Sequence, residues 1–176
     1  MCIRDRLSED VQRVVAHDQR DDTLHVLAEH YQAGRTLRQH VAAIHAMCAA
    51  GDLVALDSRG RPELAWAVAD PEDKQSRVEL AYEYGLTTVP AHKAVRDGIN
   101  AVAERLEPDV AGKPHLLVHA RCVHLIREFE GYVWDPAAAR SGGDQKDAPL
   151  KREDHAMDTL RYVCAQVRRG APISAS

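Results

Sequence analysis

Residues 151–162 read KREDHAMDTLRY, and this stretch sets the interpretation of the rest of the chain. Glu153 and Asp154 lie where acidic side chains favour the start of a helix, because a helix N-terminus carries partial positive charge. At the helical period, one arc is apolar and consists of Met157, Leu160, Val163, Cys164 and Val167. A second arc carries Asp154, Asp158 and Arg161. The stretch therefore predicts an amphipathic helix with two carboxylates on the face that does not pack.

Two interpretations of this acidic face stay open from the residues alone. Asp154 and Asp158 are spaced i, i+4, and carboxylate oxygens are the ligands that a hard cation such as Mg²⁺ prefers. Acidic residues in a first helical turn are also common as simple caps on a solvated face. The spacing by itself favours the second interpretation.

Composition indicates one globular domain. A chain of 176 residues is long enough for a hydrophobic core. The formal net charge of −4 lacks the positive balance typical of nucleic-acid-binding domains, but it does not exclude a nuclease whose acidic site binds metal before phosphate. The four cysteines are far apart, which favours reduced thiols over a disulfide or zinc framework. No apolar run reaches membrane-spanning length, and no signal-peptide pattern is present.

The order of predicted elements is that of a mixed α/β sheet. Apolar runs at 11–16 and 24–29 flank a polar turn and predict a β-hairpin. A capping box formed by Thr36 and Gln39 opens the first predicted helix. Strands and helices then alternate, with strands at 64–69, 86–89 and 115–119 and helices at 71–84, 94–106, 122–131 and from 154 onwards. Alternation implies parallel pairing, and the hairpin adds antiparallel strands.

The domain boundaries are predicted from the two ends. Residues 1–7 match no element period and are predicted to be a non-native or disordered leader. Residues 8–169 are predicted to form the domain, and residues 170–176 a flexible tail.

Asp70 is the second candidate functional acid. It ends the apolar run at 64–69, and in open α/β sheets functional sites collect at the carboxyl ends of strands. An Asp before Pro71 is also a good helix N-cap, with the proline at the first helical position. The residues leave both interpretations open.

Several stretches taken together resemble the nuclease domain of tailed-phage terminase large subunits. The final helix, DHAMDTLRY at 154–162, resembles the family signature DHAMDALRY, with Thr159 in place of the common Ala. Further stretches resemble family patterns in the same order, namely 24–31, 67–71 with Gly85, 90–99 and 122–128 with Tyr132 and Trp134. The match covers most of residues 11–168.

This resemblance implies an RNase H-like fold and a set of functional residues. It implies that Asp70 and Asp154 are catalytic acids and metal ligands. It implies further metal ligation by His155 and Asp158, and two Mg²⁺ or Mn²⁺ ions as cofactors. Contacts to DNA are expected from the basic residues Lys93, Lys146, Lys151 and Arg152.

The resemblance also implies a biological role. Terminases of this kind cut concatemeric viral DNA during genome packaging. The expected partners are double-stranded DNA, the small terminase subunit, the portal protein and the ATPase domain of the full-length large subunit, with no membrane. The expected location is the host cytoplasm.

One catalytic acid of the family has no counterpart in this sequence. The family's first catalytic Asp precedes the hairpin in a D.G segment, and neither that segment nor a GxxxxGK[ST] phosphate-binding loop occurs here. The sequence therefore predicts an N-terminally truncated copy. Three alternatives follow: an inactive remnant, another RNase H-like nuclease of resolvase or transposase type, or a small α/β binding domain whose acids are coincidental.

Overall fold

The computed structural model describes residues 2–4, 10–50, 55, 57–59, 61, 63–133, 149 and 154–170. Within them, one mixed sheet is flanked by five helices. In chain order the strands are β1 Cys2–Arg4, β2 Asp10–Asp18, β3 Thr23–Gln32, β4 Val68–Ala69, β5 Val89–Pro90 and β6 Leu116–Val118. The helices are α1 Leu37–Ala49, α2 Lys74–Tyr84, α3 Val95–Leu106, α4 Val123–Gly131 and α5 His155–Arg168.

The strand order is β5-β4-β1-β2-β3-β6, and β2 alone runs against the other five. It pairs antiparallel with β1 and β3, whereas β1–β4, β4–β5 and β3–β6 are parallel pairs. The predicted antiparallel hairpin combined with parallel strands is confirmed. Because five strands point the same way, their carboxyl ends lie at one edge of the sheet, where functional sites of α/β proteins collect.

Residues 2–4 belong to the segment 1–7 that is predicted to be a non-native or disordered leader, and they are ordered as a strand. They form β1, which pairs with β2 on one side and β4 on the other. Cys2 lies opposite Arg13 and Val68, and Ile3 opposite Gln12 and Ala69. Two neighbouring strands need backbone partners, and this short segment supplies them whatever its side-chain pattern.

A β-bulge in the hairpin places Val26 and Ala28 of β3 on opposite faces of the sheet, although residues two apart in a regular strand share a face. Val15 pairs with Val26, but Val14 pairs with Ala28, so Leu27 is the extra residue. Val26 packs in the cluster formed with α3, α4 and α5, whereas Ala28 packs in the cluster formed with α1 and α2. The reversal turns the next residue, Glu29, towards α4.

The helix ends follow local capping chemistry. Thr36 and Gln39 form the predicted capping box at the start of α1, with both reciprocal bonds present. Asp73, not Asp70, caps α2, and its carboxylate accepts the Ser76 N–H at 3.0 Å. The helix ends at Gly85, as predicted, with the left-handed φ of 66° that glycine tolerates.

The final helix is buried on nearly every side, so the prediction of an unpacked acidic face is wrong. All residues from Ala156 to Ala165 are buried, including Asp158 and Arg161. α5 packs against the sheet, α3 and α4, which covers the arc that helical periodicity assigned to solvent. The two charged side chains are buried as an ion pair with each other.

Replacement of Gly98 by alanine is expected to destabilise the protein. A Cβ at Gly98 in α3 would lie 2.9 Å from the Cβ of Arg161 in α5, closer than such atoms approach. Alanine normally favours a helix interior over glycine by about 1 kcal/mol. Overpacking costs about 1–3 kcal/mol, so the net change in the free energy of unfolding is a loss.

The control for this prediction is Gly131→Ala. A Cβ at Gly131 would meet no described atom within 4 Å, so this substitution in α4 should leave stability unchanged or slightly raised. Urea denaturation followed by circular dichroism measures both variants. A Gly98→Ala protein at least as stable as the Gly131→Ala protein would contradict the close contact between α3 and α5.

Candidate active site

Asp70 lies immediately after β4 at the edge where the parallel strands end. Its carboxylate is only 3% exposed. Oδ1 accepts the Glu72 backbone N–H at 2.9 Å, so Asp70 closes the turn after β4. The interpretation of Asp70 as a helix N-cap is wrong, because Asp73 has that role.

The hydroxyl of Tyr162 donates to Asp70 Oδ2 at 3.5 Å. Tyr162 lies in α5, so this contact joins the end of β4 to the helix that carries the DHAMDTLRY signature. The fold therefore brings the strand acid and the signature helix into one region.

Lys93 follows β5 and reaches the same carboxylate. Its Nζ lies 3.3 Å from Asp70 Oδ1 and 2.7 Å from Glu72 Oε1. The expected contact of Lys93 with DNA stays a prediction, and the partners seen here are two carboxylates. Glu72 was not among the predicted site residues, although an acidic side chain two residues after Asp70 could have indicated it.

Asp154 is the N-cap residue of α5 and is partly buried. Its backbone C=O accepts the Asp158 N–H at 2.9 Å, but its carboxylate makes no capping hydrogen bond to the helix. The charge of Asp154 contributes to a raised pKa of the Tyr132 hydroxyl, for which burial is the main cause. The Asp154 carboxylate therefore has no role in capping α5.

Asp158 and Arg161, one helical turn apart, form an ion pair inside the protein. Their side chains are 9% and 5% exposed, respectively. Asp158 lies one helical turn before Tyr162 in α5 and has the Arg161 guanidinium beside it. His155, the first residue of α5, is partly buried in the same helical turn.

Two buried glutamates position the helices behind this site. Glu29, which the bulge in β3 turns towards α4, accepts the N–H groups of His124 at 2.6 Å and Leu125 at 3.1 Å. Arg13 pairs with the same carboxylate at 3.3 Å. The Glu29 side chain is 3% exposed, so this carboxylate is part of the protein interior.

Glu128 in α4 makes a similar contact with the start of α5. Its Oε2 accepts the Met157 N–H at 3.0 Å, in the first turn of α5. Burial raises the pKa of the Glu128 carboxyl, and its hydrogen bonds from backbone N–H groups oppose that shift. Glu29 in β3 holds α4, and Glu128 in α4 holds α5, so the start of the signature helix is fixed relative to the sheet.

The donor chemistry of this region fits a hard divalent cation. Among the described residues, no three His, Cys, Asp or Glu side chains are grouped closely enough to hold a metal ion. Mg²⁺ is usually held by only one or two carboxylates, with water and substrate phosphate completing its shell. Asp70 and Glu72 already hold a cation, the Lys93 ammonium, between their oxygens.

Three predicted DNA-contacting residues, Lys146, Lys151 and Arg152, lie outside the described residues, as does Trp134 of the aromatic motif. A cationic region is described near the C-terminal end of α5. His92, Asp97, Ala165, Arg168 and Arg169 line a cavity of about 320 Å³ there. Hydrogen bonding by His92 lowers the pKa of Asp97, so an acid within this cavity offsets part of its positive charge.

Comparison with known proteins agrees with the motifs. No protein-family model matches the chain. The large terminase subunit of Escherichia phage T5 is 31% identical over 152 residues, which are 85% of this chain and 30% of that protein. The resemblance to terminase large subunits is confirmed. The chain thus spans less than a third of that relative.

Solved structures show the same fold. The large terminase of a thermophilic bacteriophage, in complex with ADP, superposes with a TM-score of 0.73 at 20% identity, covering 96% of this chain and 40% of that one. The phage P22 large terminase nuclease domain gives 0.65 at 16% identity, covering 95% and 79%. The SPP1 nuclease domain with bound Mn gives 0.60 at 14%, covering 95% and 84%. The predicted α/β fold with a mixed sheet flanked by helices is thereby confirmed, and it matches the fold of terminase nuclease domains.

These similarities bear on the alternatives left open by the sequence. A small α/β binding domain with coincidental acids does not account for sequence similarity to a terminase over most of the chain. Within the described residues, no helix combines the length and apolar character that crossing a bilayer requires.

Proposed function

We propose that this chain is the nuclease domain of a phage terminase large subunit and that it cleaves DNA endonucleolytically with divalent metal ions. The observation that carries the proposal is the placement of Asp70. It is a buried carboxylate at the carboxyl end of a parallel strand, and Tyr162 joins it to the signature helix. The fold shared with terminase nuclease domains supports the same function.

Asp70 and Asp154 are proposed as catalytic acids and metal ligands, with His155 and Asp158 as further ligands. Two Mg²⁺ or Mn²⁺ ions, when bound, would supply an activated water and stabilise the leaving 3′ oxygen of the phosphodiester. Mn bound to the SPP1 domain supports a divalent ion here.

The residues of the chain itself have separate tasks in this reaction. The Glu72 N–H and the Tyr162 hydroxyl hold the Asp70 carboxylate in one orientation, while Glu128 fixes the start of α5. Lys93, Lys146, Lys151 and Arg152 are proposed to contact phosphates, which positions DNA without reading its sequence. Preorganised groups of this kind stabilise charge that develops in the transition state.

The biological setting is proposed from the relatives. The reaction would cut concatemeric viral DNA during genome packaging in the host cytoplasm. The partners would be double-stranded DNA, the small terminase subunit, the portal protein and the ATPase domain of the full-length large subunit.

Replacement of Asp154 by alanine tests this proposal, since its carboxylate is not needed to cap α5. In Mn²⁺, the unaltered protein is expected to nick supercoiled plasmid, and Asp154→Ala to lose about tenfold or more of that rate, the loss expected for a metal-site residue. Glu83→Ala, an exposed change on α2, is the matched control and should nick at the normal rate.

The outcomes separate the possibilities. An Asp154→Ala protein as active as the control would contradict the role of Asp154. If the unaltered protein and both variants leave the plasmid intact, cleavage by this chain is contradicted and the inactive remnant is favoured.

A further inference from the structure

The ammonium group of Lys93 lies between two carboxylates at the candidate active site. Its Nζ is 3.3 Å from Asp70 Oδ1 and 2.7 Å from Glu72 Oε1. The Asp70 side chain is 3% exposed, whereas those of Lys93 and Glu72 are 34% and 63% exposed. The cation thus reaches from the surface to a buried anion.

A buried carboxylate without a cation or sufficient hydrogen bonds is costly, because its charge has lost the stabilisation that water provides. One backbone N–H and the Tyr162 hydroxyl reach Asp70 in addition to the ammonium. Lys93 therefore supplies the positive charge that makes an ionised Asp70 favourable in this position.

A divalent ion on Asp70 would supply the same charge compensation more strongly. The ion would bind the same carboxylate oxygens that now face the Lys93 ammonium. A divalent ion and an ammonium bound to the same oxygens would repel each other. Binding of a metal ion and the present position of Lys93 are therefore competing states of one site.

We propose that Lys93 is a resident cation that must leave Asp70 and Glu72 when a divalent ion binds there, and that Glu72 is the second carboxylate of this cation site. The inference rests on the proposed function, and it adds a ligand and a competitor to that site. The flexible four-carbon stem of lysine allows the ammonium to move without a change in the backbone.

The displaced Lys93 ammonium is expected to contact a DNA phosphate. Lys93 remains beside the metal site, where the phosphate of a bound DNA strand would be the nearest new anion. Phosphate contacts by lysine are charge-driven and tolerate several positions. The same side chain would thus stabilise Asp70 before metal binds and contact DNA afterwards.

Isothermal titration of Mn²⁺ into the unaltered protein, Lys93→Met and Glu72→Gln tests this inference at constant ionic strength without DNA. Lys93→Met is expected to bind Mn²⁺ about three to ten times more tightly, because removing a charged partner of this exposure is worth about 1 kcal/mol. Glu72→Gln is expected to bind more weakly, since it loses a ligand oxygen.

Two control variants define the cause. Lys113→Met removes an exposed lysine from the loop before β6 and should leave the Mn²⁺ affinity unchanged. Lys93→Arg keeps a competing cation and should bind no more tightly than the unaltered protein. Thermal unfolding of each variant without metal establishes that it is folded.

An Mn²⁺ affinity of Lys93→Met equal to that of Lys113→Met would overturn the inference. It would also be overturned if neither the unaltered protein nor any of the variants bound Mn²⁺. If Lys93→Met and Lys93→Arg both bound Mn²⁺ more tightly than the unaltered protein, the inference would also be overturned, because loss of the positive charge would not be the cause. Tighter binding by Lys93→Met alone, in a protein that fails to nick plasmid, would support the inference while contradicting the proposed function.

Discussion

Replacement of Asp70 by asparagine is expected to lower the rate of Mn²⁺-dependent DNA cleavage about a hundredfold or more. Asparagine has the same shape and retains an oxygen that accepts the Glu72 N–H, so the turn after β4 is preserved. It lacks the negative charge that a metal ligand supplies in this position. Loss of metal stabilisation worth several kcal/mol corresponds to this reduction in rate.

The measurement is single-turnover nicking of supercoiled plasmid, with thermal unfolding of the same preparations. Glu83→Gln is the matched control, because it removes one carboxylate charge from an exposed position on α2. A folded Asp70→Asn protein that cleaves within about twofold of this control, a difference well under 1 kcal/mol, would contradict the assignment of Asp70 as a metal ligand.

Replacement of Arg161 by methionine is expected to reduce the free energy of unfolding by about 3 kcal/mol. Arg161 pairs with Asp158 inside the protein, and both side chains are less than a tenth exposed. The substitution takes a compensating cation away from the Asp158 carboxylate in a medium that solvates charge poorly. Methionine fills most of the space, so the loss is mainly electrostatic.

The same helix supplies the control. Arg168 pairs with Glu104 at 3.0 Å, but both side chains are about half exposed. Such surface pairs contribute about 0–1 kcal/mol, so Arg168→Met should have a small effect. The double variant Asp158→Asn/Arg161→Met should recover part of the loss, because it removes the buried carboxylate together with the guanidinium. Equal urea midpoints for Arg161→Met and Arg168→Met would contradict this interpretation.

The parts of the fold that the sequence predicted correctly depend on local chemistry. The hairpin follows from two apolar runs around a polar turn, and its strands β2 and β3 are the longest described. The capping box at Thr36 and the stop at Gly85 each involve groups only a few residues apart. Such features are determined before tertiary packing.

The features that were mispredicted depend on contacts between distant residues. Helical periodicity assigned Asp158 and Arg161 to solvent because both are charged, and it does not report that α3 and the sheet cover that arc. The pairing of β1 with β2 and β4 likewise depends on backbone hydrogen bonding, which carries no side-chain signature.

The candidate site was predicted in part, for the same reason. Asp70 could be found because a strand followed by an acid is a visible pattern in the sequence. Its ties to Tyr162, 92 residues away, and to Lys93 exist only in the folded chain. Glu29 and Glu128, which fix α4 and α5, were not recognised as positioning residues, since buried caps between elements have no fixed spacing in sequence.

The most direct test of the central claim is the metal dependence of plasmid nicking by the unaltered protein. Supercoiled plasmid would be incubated with the protein over a series of Mn²⁺ concentrations, and in parallel with excess chelator. We expect nicked product to increase with Mn²⁺ until the site is filled, and to be lost in chelator. Nicking that persists in chelator, or no nicking at any Mn²⁺ concentration, would contradict a metal-dependent nuclease in this chain.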